Sequence, residues 1–337
     1  MGKILLTGGA GFIGSHIAVA LRAAGHEPLI LDNLSNSEPG ISKGISRITG
    51  YEEKIHQIDC RNFEAILKLI EKEGSIDGII HLAAFKAVGE SVENPMKYYD
   101  NNVGSMISIL RVAEKLRVKS FVFSSSCTVY GSPDEVKVTE DTPMGPAYSP
   151  YGYTKQIGER MIHDLSTTDI QTKFVSLRYF NPIGADPSAE IGELPLGRPN
   201  NLIPFICQTA AGLRDELTVF GNDYQTPDGT CIRDYIHVSD LAEAHVRALE
   251  YIGSENAPQH DIFNIGTGKG NSVREIINTF KKENGVNFKV RFGLRRAGDV
   301  EAIYADTSKA KTILHWQPRY EMADALVHAW NWQKKLK

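Results

Sequence analysis

Short apolar runs alternate with helix-length segments along the first half of the chain. Residues 3–7, Lys-Ile-Leu-Leu-Thr, predict a buried strand, and helical spacing follows over 14–24. Further strands are expected at 28–32, 54–59, 76–83, 120–125 and 173–179, with helices at 64–72, 96–116 and 151–165. Strands that are apolar on both faces and separated by helices require right-handed crossovers. They predict an α/β fold built on a parallel sheet covered on both sides.

The texture changes after Asn181. The stretch 181–201 is rich in Pro and Gly and has no sustained period, which predicts irregular backbone and a domain boundary. Beyond it the elements shorten: helices at 202–212, 238–251, 273–284 and from 322, and strands near 217–220 and 262–264. Two domains are expected, 1–180 and a smaller α/β domain at 181–337, with the stretch at about 234–265 returning to the first.

Composition narrows the functional classes. The 337 residues, 42% hydrophobic and 23% charged, suit a folded chain and exclude a disordered or fibrous one. A formal charge of −4 argues against nucleic acid as a partner, because phosphates call for a basic stripe. Cys60, Cys127, Cys207 and Cys231 form no C-x-x-C pair, and the ten histidines show no ligand spacing. Neither a disulfide scaffold nor a metal site is expected, and a reducing cytoplasm is the expected setting. No apolar run approaches the roughly 18–20 residues of a membrane span, and no signal-peptide core is visible.

The first strand runs into Thr7-Gly8-Gly9-Ala10-Gly11-Phe12-Ile13-Gly14, where Gly8, Gly11 and Gly14 are spaced G-x-x-G-x-x-G ahead of a helix. Glycines there permit a tight turn, close approach of backbone to a pyrophosphate and close packing of helix on strand. The free amides of the helix start then face the anion. With a strand before and a helix after, the triplet reads as a dinucleotide fingerprint, and the sheet as a Rossmann-type doubly wound one. Asp32 closes the second strand. It can accept hydrogen bonds from ribose hydroxyls and would repel a 2′-phosphate, favouring NAD over NADP; it can equally cap the turn Asn33-Leu34-Ser35. Asp59 can reach the adenine edge or serve a turn.

The fifth strand leads to Ser124-Ser125-Ser126-Cys127, and Ser149-Pro150-Tyr151-Gly152-Tyr153-Thr154-Lys155 follows 25 residues beyond Ser126 at its own tyrosine. The i, i+4 spacing puts Tyr151 and Lys155 on one helix face. A phenol ionises near pH 10 and is a poor base at neutral pH. A cation about 4 Å away, at an effective dielectric near 20, contributes about 4 kcal/mol, or about three pKa units. Ser126 can hold a substrate hydroxyl and pass its proton. Among 13 tyrosines a Y-x-x-x-K arises by chance on the order of once, so its position after a strand-end serine carries the argument.

With these residues go His81-Leu82-Ala83-Ala84-Phe85-Lys86, Arg178-Tyr179-Phe180-Asn181-Pro182 and Pro199-Asn200-Asn201-Leu202. Phe220-Gly221-Asn222-Asp223-Tyr224, Arg233-Asp234-Tyr235-Ile236-His237 and Arg296-Ala297-Gly298-Asp299 complete the set. Over essentially its whole length the chain resembles the extended short-chain dehydrogenase/reductase family, and within it the members that epimerise UDP-glucose and UDP-galactose at C4. The resemblance implies that Tyr151 is the base, Lys155 its partner and a ribose ligand, and Ser126 the hydroxyl relay. It implies NAD contacts from Gly8, Gly11, Phe12, Ile13, Gly14, Asp32, Asn33, Asn36, Ser37, Asp59, Cys60, Lys86, Asn101 and Tyr179, besides Tyr151 and Lys155. UDP-sugar contacts are implied for Asn181, Asn201, Leu202, Arg233, Tyr235, Arg296, Asp299 and Ile303, besides Ser126 and Tyr151. A diphosphate suits Arg forks, although Arg233 and Arg296 read by themselves could equally form surface salt bridges.

The implied cycle oxidises C4 with retained NAD, turns the 4-keto sugar over, and reduces its other face. Ile303 stands where relatives vary between bulky and small residues, so room for an N-acetylated C2 substituent is left open. Helices like 96–116 and 151–165 pair in family homodimers. A nucleotide-sugar 4,6-dehydratase would need an acid–base pair where Ser125-Ser126-Cys127 stands, and a UDP-glucuronate enzyme would need further groups for a carboxylate. A non-catalytic NAD sensor would have no use for Ser126, Tyr151 and Lys155 together. Cys127 itself is expected to be packing.

Overall fold

The computed structural model describes residues 2–254, 256–296 and 299–336. Its first half runs β1 (Lys3–Thr7), α1 (Phe12–Ala23), β2 (Glu27–Asp32), α2 (Ile41–Thr49), β3 (Ile55–Gln57), α3 (Phe63–Glu73) and β4 (Gly78–His81). Then come α4 (Val88–Glu93), α5 (Pro95–Tyr98), α6 (Gly104–Leu116), β5 (Ser120–Ser124), the two-residue β6 (Lys137–Val138), α7 (Pro150–Ser166) and β7 (Lys173–Tyr179). The second half adds β8 (Asn181–Ile183), α8 (Leu202–Ala210), β9 (Glu216–Phe220), β10 (Ile232–Arg233), β11 (Tyr235–His237), α9 (Val238–Ile252) and β12 (His260–Ile265). It ends with β13 (Asn271–Ser272), α10 (Val273–Asn284), β14 (Lys289–Gly293), β15 (Ala302–Ala305), α11 (Ser308–Ile313) and α12 (Met322–Lys335).

Seven strands form one parallel sheet in the order β3-β2-β1-β4-β5-β7-β12, the expected α/β architecture. Strand order reverses between β1 and β4, and at such a switch point the carboxyl ends of the strands open a crevice. One face is sealed by Ile17 and Leu21 of α1 packed with Leu241 and Leu249 of α9. The other is sealed by Ile66 of α3, Ile109 and Val112 of α6, and Ile162 of α7. A strand and a helix from the second half of the sequence thus complete the sheet begun by the first. Among the described residues no helix is long and apolar enough to cross a membrane.

Several elements depart from the sequence pattern. The helix expected over 96–116 is interrupted by a π turn at Tyr99–Val103. There Asn102 bonds both the N–H and the C=O of Phe85 and donates to Thr154 Oγ1 at 3.1 Å, ties that favour the bulge. Helices α2 and α4 were not expected; α2 is short but sets Ile41, Ile45 and Ile48 on one face against the core, and α4 buries only Ser91. The stretch after Asn181 is not wholly irregular: β8 pairs with β11. The brief strands β13-β10-β15-β6 form a second sheet, too short in each segment to display a period.

Helix α7 starts where Ser149 caps the Gly152 N–H and Pro150 takes the first position. It lies close on β5, because a Cβ at Gly158 would stand 2.6 Å from Phe123 Cζ. Gly158→Ala is therefore expected to lower stability by about 1–3 kcal/mol, read as a lower urea midpoint. An unchanged midpoint would contradict this close approach.

Candidate functional site

The turn after β1 is shaped by contacts that only glycine tolerates. Gly8 has φ +70°, and a Cβ at Gly14 would lie 2.2 Å from Gly8 O. Helix α1 begins at Gly11 with no side-chain cap, so the amides of Phe12 and Ile13 lie at an open helix start. Asp32 accepts from Ala10 N at 3.1 Å, Leu34 N at 2.8 Å and Ser37 Oγ at 3.0 Å. The turn-capping role is thus realised, yet a carboxylate accepts about four hydrogen bonds, which leaves one position on Oδ2 for a hydroxyl. Asn33 accepts from Ser35 N, and Asn36 lies in the same loop. Asp59 is gripped by the Arg61 guanidinium at 2.7 and 3.0 Å, which holds its carboxyl below the usual range. Beside it the buried Cys60 thiol is pushed up by burial and by the charges of Asp32 and Asp59.

At the end of β5 the three serines meet α7. Ser126 caps the short turn Cys127–Tyr130 and lies beside the buried Tyr151 phenol. Lys155 is also buried and donates from Nζ to Ser124 O at 2.5 Å. The Ser124 hydroxyl in turn bonds Tyr179 OH. Asn101 donates to Asn102 at 3.0 Å. The Lys155 ammonium lies 6.0 Å from the Tyr151 ring centroid, and its hydrogen bond goes to the strand end. A buried ammonium seeks the nearest strong acceptor, and here that is the strand-end carbonyl. Burial pushes the Tyr151 phenol above its ordinary value, with the Ser126 side chain pulling back, and pushes Lys155 down to about 8.

The second sheet gathers the other set. Arg233 lies opposite Ile303 where β10 pairs with β15, and Asn181 opposite Tyr235 where β8 pairs with β11. Asp299 accepts from Arg296 at 2.8 and 3.2 Å and stands 3.8 Å from Arg233, so three expected residues converge. Ala297 and Gly298 of that motif lie outside the described residues. Burial pushes the Tyr235 phenol up to about 12. Ile303 belongs to a buried cluster with Val129, Tyr130 and Phe180, and Cys127, the residue after Ser126, packs against that cluster. The Cys127 thiol is raised to about 12 by burial and acts as packing.

Lys86 and Asn201, expected on opposite sides of the site, meet at Glu193, whose Oε1 accepts from them at 3.1 and 2.5 Å. Leu202 follows at the start of α8. Sequence reading missed Glu193, which no motif marks. It also missed a role for Asp234, a fully buried carboxylate between Arg233 and Tyr235. Asp234 accepts from Thr267 N and Oγ1 at 2.8 and 2.6 Å, Gly268 N at 3.0 Å and Ala305 N at 3.2 Å. Burial raises its carboxyl while these bonds pull it back. In Asp234→Asn one acceptor becomes an N–H facing backbone N–H groups, so stability should fall by about 1–3 kcal/mol in urea titration. A wild-type midpoint would refute the role of this clamp.

The sequence pattern of the NAD dependent epimerase/dehydratase family matches residues 4–266. The UDP-glucose 4-epimerase of Neisseria meningitidis serogroup B is 48% identical over 332 residues, spanning 98% of this chain and 97% of that protein. That of Bacillus subtilis is 47% identical, spanning 98% and 96%. The crystal structure of the Stenotrophomonas maltophila UDP-glucose-4-epimerase, with bound NAD and formylated UDP-arabinopyranose, is 43% identical and superposes with a TM-score of 0.96 over 100% of this chain and 99% of that one. The UDP-Glc/GlcNAc 4-epimerase of Campylobacter jejuni is 38% identical with a TM-score of 0.84, over 99% and 100%.

Proposed function

The chain belongs to the NAD dependent epimerase/dehydratase family, and we propose that it interconverts UDP-glucose and UDP-galactose by inverting the sugar at C4. The observation that carries this reading is the junction of two sets of residues. Ser126, Tyr151 and Lys155 at the end of β5 adjoin, through the buried cluster that holds Ile303 and against which Cys127 packs, the sheet that bears Arg233.

NAD is the cofactor, and the chain fits it: Gly8 and Gly14 keep open a turn that a Cβ would fill, and Asp32 retains one acceptor position. Bound NAD supplies the hydride acceptor and donor at C4 and, while oxidised, a positive charge beside the phenol. Tyr151 takes the proton of the C4 hydroxyl, and Ser126 holds that hydroxyl and relays the proton. Lys155, on the same helix face with its ammonium 6.0 Å from the Tyr151 ring centroid, favours the phenolate. That opposes the burial penalty on the phenol, and the positive charge of oxidised NAD acts in the same direction. Arg233 and Arg296 hold the diphosphate, with Asp299 and the Asn181 and Asn201 amides at the nucleoside and sugar links. Fixing the UDP end while the sugar faces the apolar Ile303 side lets a 4-keto sugar turn over between hydride steps.

A dehydratase is disfavoured, because the position for its acid–base pair holds the buried Cys127 thiol. We further infer a homodimer through α5, α6 and α7, where Met96 (71% exposed), Ile107 and Tyr153 leave apolar surface uncovered. The four unpaired cysteines support a reducing compartment, the cytoplasm.

Purified protein given UDP-galactose without added NAD should form UDP-glucose, and Tyr151→Phe should lower kcat by about 100-fold or more. Absence of both turnover and of NAD released on denaturation would overturn the reading. Ile303 is expected to leave room for the C2 substituent, so UDP-N-acetylgalactosamine should also be epimerised. In Ile303→Tyr that rate should fall about tenfold relative to the rate on UDP-galactose, and an equal N-acetyl rate in both proteins would refute this role for Ile303.

A further inference from the structure

Tyr151, Lys155 and Glu159 recur every fourth residue on α7, and all three are buried. The mechanism uses the first two and leaves the third unexplained. Glu159 accepts from Arg178 Nε at 3.0 and 3.2 Å, from Arg178 Nη2 at 2.7 Å and from Ser125 Oγ at 2.5 Å. Ser125 sits between Ser124, whose carbonyl receives Lys155, and Ser126, which lies beside the Tyr151 phenol. Arg178 continues to Tyr130 OH at 3.1 Å, and that hydroxyl donates to Asn264 at 2.6 Å. One buried carboxylate thus grips the middle of the serine run from the helix face that carries the base.

We propose that Glu159 is the positioning residue of this site: it docks the Tyr151–Lys155 face of α7 onto the Ser124–Ser126 strand end and counterbalances the Lys155 charge. The role given to Tyr151 rests on the function proposed above; the Glu159–Lys155 relation does not. Burial draws Lys155 down to about 8, and the Glu159 carboxylate pulls the other way. Glu140 adds a carboxylate at the far end, its backbone carbonyl accepting from Arg178 at 3.2 Å and its side chain from Asn264 N at 2.7 Å, while the other groups near this cluster are neutral at pH 7. Burial lowers His81 on β4 to about 3 and His260 on β12 to about 4, and it raises the Cys127 thiol and the Tyr98 and Tyr179 phenols. Arg178, paired with Glu159 at 2.7 Å, is the other cation of the cluster. Neutralising Glu159 removes the attraction on the Lys155 ammonium, which pushes the Lys155 midpoint down. A carboxylate that merely packed against Arg178 would leave Lys155 unaffected.

The test follows the Lys155 side chain by 13C NMR of lysine Cε, assigned with Lys155→Arg, in the protein as purified. Wild type is compared with Glu159→Gln and with Glu159→Gln/Arg178→Met, which removes the unpaired buried cation and guards against misfolding. The Lys155 midpoint should fall by about half a pH unit or more in both. The alkaline limb of the pH–rate profile should move the same way, with kcat down about tenfold and KM within about twofold. A folded variant whose Lys155 midpoint stays put overturns the inference whatever its kcat. The NMR arm needs no substrate, so a wild-type chain that turns over no UDP-hexose refutes the epimerase reading and leaves this one to be decided separately.

Discussion

A buried ammonium has to find partners where it lies, and in this chain that constraint organises the site. Lys155 reaches the last carbonyl of β5, so α7 must lie against that strand with its second turn beside the serines. Gly158 allows the approach by leaving no Cβ in front of Phe123, and Glu159 closes it by taking Ser125 and Arg178. Tyr151 is placed as a consequence, one turn before the lysine and against Ser126. Unpartnered, such a charge would cost several kcal/mol, which exceeds what any surface ion pair returns.

The same logic joins the two halves of the molecule. Asp234 is a carboxylate without a cation, satisfied by four donors from the loop after β12 and from β15. It binds the strand bearing Arg233 to the strand bearing Ile303, while β6, from the loop beyond Ser126, pairs with β15 at Lys137–Tyr304 and Val138–Ala305. Chemistry at the end of the parallel sheet and recognition on the smaller sheet are thereby held in one frame. Preorganised donors and charges of this kind do not have to be rearranged when a substrate arrives.

Charge at the site is arranged in opposed pairs. Arg233 and Arg296 share Asp299, and Lys86 and Asn201 share Glu193, so groups suited to phosphate oxygens already face carboxylates. A diphosphate presents the same acceptor geometry with more charge, which lets it compete for those donors. Burial raises the Tyr151 phenol, so in the proposed reaction positive charge on the bound nucleotide would favour its ionised form.

The residue pattern by itself determined the alternation of strands and helices, the glycine turn and its carboxylate, and the Y-x-x-x-K spacing beside a strand-end serine. These are local: periodicity, turn chemistry and four-residue spacing act over a few neighbours, and a sequence displays them directly. It did not reveal β8, β10 or β15, which are too short for a period and exist because distant segments offer them partners. Nor did it reveal Glu159, Glu193 or Asp234, whose importance comes from residues 8 to 107 positions away. The distance from Lys155 to the phenol was likewise a tertiary matter. Helix spacing puts the two side chains on one face, but the fold decides which acceptor the ammonium reaches first.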